Sequence, residues 1–172
     1  MVIAGASGGV GSFATQLCRH RGAHVIAIAS AAKHDLVRSF GAHDVLDRNT
    51  PDLAAAIKSI APRGVQVALD VVGGAITPAL LDSLCQYGRY SSSGAISGPM
   101  IGFDLRHLIY KDLTMTGATI VEPGTMARLI PLIENGTLRP NLAESFALKD
   151  LHLAQETFMK KSHGGNIVVD CT

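Results

Sequence analysis

"AGASGGVGSF", residues 4–13, decides how the rest of the chain is read. Met1, Val2 and Ile3 run into it as the end of a strand, and "GVGSFATQLCRHRG" (9–22) leaves it with helical spacing. Glycines at such a junction permit a sharp turn, close approach of a ligand to the main chain, and tight packing of helix on strand. The helix that follows presents unpaired N–H groups and the positive end of its dipole, a setting that stabilises a dianion. Strand before and helix after distinguish this run from a plain glycine turn. No Gly-Lys-Ser/Thr follows, so it is not a nucleoside-triphosphatase loop.

Working outward, apolar runs alternate with helical patterns. Strands are expected at 2–4, 24–29, 44–47, 65–72, 88–94 and 113–120, and helices at 9–22, 33–41, 50–60, 77–85, 104–110 and 124–136. Thr50 reads as a cap with Pro51 in the first helical position, and Thr77-Pro78 repeats that opening. Asp104 caps the next helix, and Pro131 is expected to kink the last one. This alternation predicts an α/β fold, a Rossmann-type doubly wound parallel six-stranded sheet with helices on both faces. After Gly136 the rhythm changes. "LRPNLAESFAL" is irregular or extended, "KDLHLAQETFMKK" (149–161) is an amphipathic helix that Asp150 helps to cap, and "NIVVD" (166–170) is a last strand. They form a small C-terminal helix–strand extension.

Composition agrees. The chain has 172 residues, a formal net charge of +1 and 47% hydrophobic residues. Balanced charge gives no reason to expect nucleic acid or a membrane surface as partner. High apolar content suits a sheet buried on both faces. Cys18, Cys85 and Cys171 form neither a disulfide framework nor a Cys-x-x-Cys pair, which suits reduced thiols in a cytoplasmic protein. The seven histidines show no metal-ligand spacing with cysteines or acids, so no metal site is expected.

The glycine run fits two dinucleotide spellings. Gly5-x-x-x-Gly9-x-Gly11 resembles that of short-chain dehydrogenases, which need a Tyr-x-x-x-Lys pair. Tyr87, Tyr90 and Tyr110 are followed four residues on by Ser91, Gly94 and Thr114, so that family is rejected. Ala6-x-Gly8-x-x-Gly11 resembles the medium-chain dehydrogenase/reductase fingerprint with alanine in the first glycine position. The stretches "FGAHDVLD", "GVQVALDVVGG", "GRYSSSGAISG", "YKDLTMTGAT", "IENGTLRPNLAESFALKDLHLAQETF" and "GGNIVVD" follow in the order found in its zinc-independent, quinone-oxidoreductase-like branch. The resemblance implies that residues 1–138 form an NADP(H)-binding domain. It implies that residues 139–172 belong to a GroES-like substrate domain otherwise absent, with "NIVVD" adding a strand to it.

An NAD site uses an acid at the end of the second strand to bind the ribose 2′-hydroxyl. Here that strand ends in Ser30-Ala31-Ala32-Lys33, and the nearest acid, Asp35, falls inside the next helix. Hydroxyl and ammonium groups suit a 2′-phosphate. The resemblance places Lys33 and Arg48 at that phosphate, where an arginine grips with paired donors. NADP(H) is therefore the expected cofactor. Ala6, Ser7, Gly8, Gly9 and Val10 are the candidates for the pyrophosphate, with Ser30, Lys33 and Arg48 for the 2′-phosphate. By resemblance Val72 and Gly73 lie on the adenosine–ribose side, Gly94 and Ala95 near the nicotinamide, and Asn166 within reach of the cofactor.

The implied activity is hydride transfer between NADPH and a small-molecule carbonyl, quinone or activated alkene. No catalytic residue is identifiable in the chain, although Lys111 occupies a position often basic in this branch. A zinc-dependent alcohol dehydrogenase fragment and a non-catalytic redox-sensing module remain as alternatives. The resemblance also implies a homodimer through the sixth strand, near "LTMTGAT".

Overall fold

The computed structural model describes residues 1–171. The chain begins with β1 (Val2–Ala4), α1 (Gly9–His20), β2 (Ile26–Ala29), α2 (His34–Ser39), β3 (Asp44–Asp47), α3 (Leu53–Ile60) and β4 (Val65–Asp70). It continues with α4 (Thr77–Ser83), β5 (Leu84–Ser92), α5 (Leu105–Tyr110), β6 (Thr114–Gly117), α6 (Thr125–Glu134), β7 (Leu142–Ala147), α7 (Leu151–Met159) and β8 (Asn166–Asp170). Six strands form one sheet in the order β3-β2-β1-β4-β5-β6, all parallel. The order reverses between β1 and β4, which makes that point the topological switch of a doubly wound sheet.

The strands look uniformly apolar because both faces are covered, yet their residues still alternate between two cores. Val2 and Ala4 of β1 join Ile26 and Ile28 of β2 on the face packed by Leu53, Ile57, Leu80 and Leu81. Ile3, Ala27 and Ala29 face the other way, against Val37, Ala14 and Cys18. Ile3, Ile26, Ile28, Ile57, Leu80 and Leu81 are essentially inaccessible. Each such side chain contributes about 1.5–3 kcal/mol from burial. No helix among the described residues is long and apolar enough to cross a membrane.

Several local expectations change. The cap of α3 is Asp52, whose Oδ1 accepts from Ala55 N at 2.9 Å, and not Thr50. Thr77 does not cap α4, because its hydroxyl donates to buried Asp70 instead. α4 stops at Ser83, and Leu84 and Cys85 already belong to β5, where Leu84 pairs with Val65. β6 is shorter than the apolar run that suggested it. Pro131 stands inside α6, and its carbonyl still accepts from Asn135 N at 3.1 Å. Asp104 caps α5 as expected, accepting from Arg106 N at 2.9 Å. Asp150 precedes α7 without a side-chain capping bond.

The C-terminal extension holds one strand more than expected. β7 and β8 form a parallel two-stranded sheet crossed by α7. This unit is fastened to the main sheet at its ligand end. Gly165 N donates to Ser7 O at 2.9 Å, and Arg139 exchanges bonds with the Gln16 side chain of α1.

Candidate functional site

The site is built at the carboxyl ends of β1, β2, β4 and β5, where open α/β sheets bind ligands. The turn after β1 is made possible by two glycines. Gly5 has φ +72°, and a Cβ there would lie 2.7 Å from Val71 Cγ2. A Cβ on Gly11 would overlap the carbonyl oxygen of Gly5 and lie 2.7 Å from Ala6 Cα. α1 can therefore sit directly on the turn, aiming its start at the space above β1. Gly8 provides no side-chain cap, and the first turn of α1 has no acid. The opening amides of the helix thus stay available to an external anion.

Opposite that helix start, Gly5, Ser7, Ile28, Ser30, Lys33, Arg48, Val72, Ile96, Ser97 and Lys161 line one cleft of about 210 Å³. An adjoining cleft of about 300 Å³ continues over Gly8 and Gly9 toward Phe158, Lys161, His163 and Gly165. The structure therefore brings Ser7, Gly8, Gly9, Ser30, Lys33, Arg48 and Val72 to one continuous depression. Ala6 lies fully buried in the second core, its N–H bonded to Ile28 O at 3.2 Å, so it shapes the turn from below. Val10 is 60% exposed on the first turn of α1 and does not line the depression. Gly73 lies close to Ala95 and the Gly98 carbonyl, and Gly94 lies close to the Val71 carbonyl, so Gly73, Gly94 and Ala95 stand beside the two clefts without lining them. Ser97 N donates to Val72 O at 2.8 Å, which joins the loops after β4 and β5.

The rim is held from beneath by Asp70, which is fully buried. Its Oδ1 accepts from Val72 N at 2.8 Å and Gly73 N at 2.9 Å. Its Oδ2 accepts from Thr77 Oγ1 and Tyr90 Oη, each at 2.8 Å. Burial, followed by the bond to Asp70, pushes the Tyr90 phenol above its ordinary range.

The residues fit a dinucleotide. No acid stands at the end of β2. Asp35 sits in α2 with its side chain in solvent, 3.2 Å from Arg38. Lys33 is part-buried, and burial first, then the Arg48 charge, pull its ammonium below the ordinary lysine value. Its Nζ donates to Lys161 O at 3.2 Å and to His163 O. Asn166 lies against the glycine turn, since a Cβ on Gly9 would meet its Oδ1 at 2.6 Å. The Nδ1 of His163, on the wall of the same depression, is buried with no hydrogen-bond partner among the described residues.

Sequence reasoning missed Ile96, Ser97, Lys161 and His163. The first two follow the Ser93-Gly94-Ala95 turn and were within reach of the carboxyl-end rule. Lys161 and His163 arrive from a segment more than 100 residues away, with no local signal. Lys111 stands before β6, at the opposite end of the sheet, donating to Asp82 O at 2.7 Å, so it does not face the cleft. A larger cavity of about 530 Å³, lined by Met1, His24, Arg63 and Cys85, also lies at that opposite end. Among the described residues no group of three or more His, Cys, Asp or Glu is placed to hold a metal ion.

Comparison with known proteins adds the context of relatives. The family profile described as zinc-binding dehydrogenase matches residues 9–135. The human synaptic vesicle membrane protein VAT-1 homolog is 26% identical over 196 residues, covering 95% of this chain and 48% of that protein. The chain thus spans about half the length of this curated relative. A solved chain from Sinorhizobium meliloti assigned as an alcohol dehydrogenase is 38% identical with a TM-score of 0.92. That likeness covers 98% of this chain and 48% of the other. A mycobacterial quinone oxidoreductase is 26% identical with a TM-score of 0.84, over 96% of this chain and 54% of its own.

Proposed function

The chain belongs to the zinc-binding dehydrogenase family, and from that premise we propose that it is the coenzyme-binding part of an NADPH-dependent oxidoreductase. The coenzyme supplies a hydride for a carbonyl, quinone or activated alkene. This chain's residues bind and orient it. Main-chain amides of Ser7, Gly9 and Val10 hold the pyrophosphate at the start of α1, while Gly8, whose N–H donates to Gly5 O at 3.1 Å, and Ala6 set the turn. Ser30, Lys33 and Arg48 take the 2′-phosphate. Val72 and Gly73 flank the adenosine ribose, and Gly94 and Ala95 border the nicotinamide. Asn166 closes over Gly9. Asp70 acts through the Val72–Gly73 turn as a positioning residue.

One observation carries this reading. An uncapped, acid-free helix start and a wall bearing Lys33 and Arg48 face two adjoining clefts that share Gly5, Ser7 and Lys33, with no carboxylate at the end of β2. Hydrogen bonds to charged groups contribute about 1.5–3 kcal/mol each. Two of them give a preference for NADPH over NADH of at least about tenfold, since each 1.4 kcal/mol is one decade. Calorimetric titration of the chain with both coenzymes tests it. Replacing Lys33 and Arg48 together by alanine should cut NADPH affinity far more than NADH affinity. Equal weakening of both coenzymes would assign the two residues to the fold instead.

Residues 139–172 extend this reading. β7, the turn after it and α7 expose Leu142, Leu148, Leu151, Leu153, Phe158 and Met159, a surface suited to a GroES-like substrate domain. The chain alone then binds coenzyme with little turnover. β6 is an exposed edge of the main sheet, flanked by exposed Ile109 on α5 and Ile130 on α6. An uncovered edge favours pairing, so a homodimer through β6 completes the proposal.

A further inference from the structure

The connection from α7 to β8, residues 160–165, crosses the ligand end of a domain it does not belong to in sequence. Main-chain contacts to the glycine turn and two bonds from Lys33 hold it there. Gly165 N donates to Ser7 O at 2.9 Å, and Gly8 and Gly165 form an isolated parallel bridge. Lys33 Nζ donates to the carbonyls of Lys161 and His163, across 128 and 130 residues of chain. Lys161 itself turns the chain at the end of α7 with φ +55°. Its ammonium stands 4.4 Å from the centroid of the Phe158 ring. Lys161 is also the one residue of this connection that lines both parts of the cleft, beside Lys33 and Arg48 in one and beside Gly8 and Gly9 in the other.

An ammonium carries three donors. Two of those on Lys33 are already committed to backbone carbonyls, which leaves one for a phosphate. Lys33 is thus first a fastening for the strap, and the charge that is free to meet a phosphate dianion rests more on Arg48 and Lys161.

We propose that Lys161 is a specificity-determining residue for the 2′-phosphate, carried into the site by a strap that Lys33 holds down. The phosphate subsite is then composite. Ser30, Lys33 and Arg48 come from the ends of β2 and β3, and Lys161 comes from the C-terminal unit. Phosphate binding and strap closure reinforce each other, because Lys33 touches both. The inference rests on the NADPH reading above and deepens it.

The test uses the full chain and two fragments of the coenzyme, adenosine 2′,5′-bisphosphate and adenosine 5′-monophosphate, by isothermal titration. The wild type should prefer the bisphosphate. Lys161→Ala should lower bisphosphate affinity about tenfold, the scale of one lost charge-assisted bond, and leave the monophosphate unchanged. Lys161→Arg should restore most of the loss. Lys33→Met should weaken the bisphosphate and also speed amide hydrogen exchange across residues 161–165 in the ligand-free chain. If Lys161→Ala keeps the wild-type preference while Arg48→Ala loses it, the role of the strap is overturned and the NADPH reading stands. If Lys161→Ala weakens both nucleotides equally, Lys161 supports closure alone and the specificity claim fails. If the wild type does not distinguish the two nucleotides, both readings fall together.

Discussion

Replacing Asp70 by alanine should cost more stability than any comparable change of a polar residue in this chain. The carboxylate is fully buried at the end of β4 and accepts from Val72 N, Gly73 N, Thr77 Oγ1 and Tyr90 Oη, all within 2.9 Å. The two hydroxyls can rotate toward other acceptors, but the two amides are fixed by the turn. A buried donor left unmade costs about 1–3 kcal/mol. Two stranded amides and partial loss at two hydroxyls come to about 3–6 kcal/mol. That is a large share of the ~5–15 kcal/mol by which domains are stable. Asp70→Asn is the control. Its carbonyl oxygen can keep both amides, while Thr77 and Tyr90 reverse to accept from the new NH₂, so the loss should stay near 1 kcal/mol. Urea unfolding followed by circular dichroism gives both values, provided the slope with denaturant is unchanged. Coenzyme affinity should fall with Asp70→Ala because Val72 lines the cleft. If Asp70→Ala unfolds within 1 kcal/mol of the wild type, the four-donor account is wrong.

Two further outcomes are expected. Gly11→Ala should destabilise by at least about 3 kcal/mol, the upper end of overpacking costs, because its Cβ would overlap the Gly5 carbonyl. Gly102→Ala, with nothing within 4 Å of the added carbon, should be neutral in the same urea assay, and similar losses for both would discredit the packing argument. Stability should also fall as pH drops below the unfolded histidine value of about 6.5. Burial first, then His24 and Arg19, hold His43 below that value, with Asp44 opposing and the N-terminal ammonium adding to the effect. Val25 N also donates to its Nδ1 at 3.1 Å. With the folded value below the unfolded one, the unfolded chain binds the proton first, and stability present above pH 6.5 is lost through that window. His43→Gln should flatten this dependence between pH 8 and 5.5, and an unchanged slope would remove His43 as its source.

How much was legible in advance depended on how local the cause was. β3 and β8 fall where their apolar runs put them, and the glycine turn announced both the sheet and its ligand end. The cap of α3 misled because Thr50-Pro51 and Asp52 satisfy the same local rule, and only the chain's path chooses between them. The apolar run at Leu84–Cys85 suits helix and strand alike, and pairing with Val65 decides it. β7 looked irregular because its stabilising partner, β8, lies beyond a helix. Within the site, Ser30, Lys33, Arg48 and Val72 could be found because each follows a strand end. Asp70 read as one residue within the strand expected at 65–72, since three of its four donors arrive from loops and helices folded over it. Lys161 had no signal at all, because only the tertiary path of the strap brings it across.

The two halves of the main sheet meet along a ladder of three residues, Val2, Ile3 and Ala4 against Ala68, Leu69 and Asp70. Within the sheet itself this narrow seam is the join, while beneath it α3 packs on α4 through Leu53, Ile57, Leu80 and Leu81. A molecule lodged across the opening above it works as a rivet, tying the two plates together on the side that α3 and α4 do not reach. Slower amide exchange at Ile3 and Ala4 when that molecule is present would be the local gauge of the rivet.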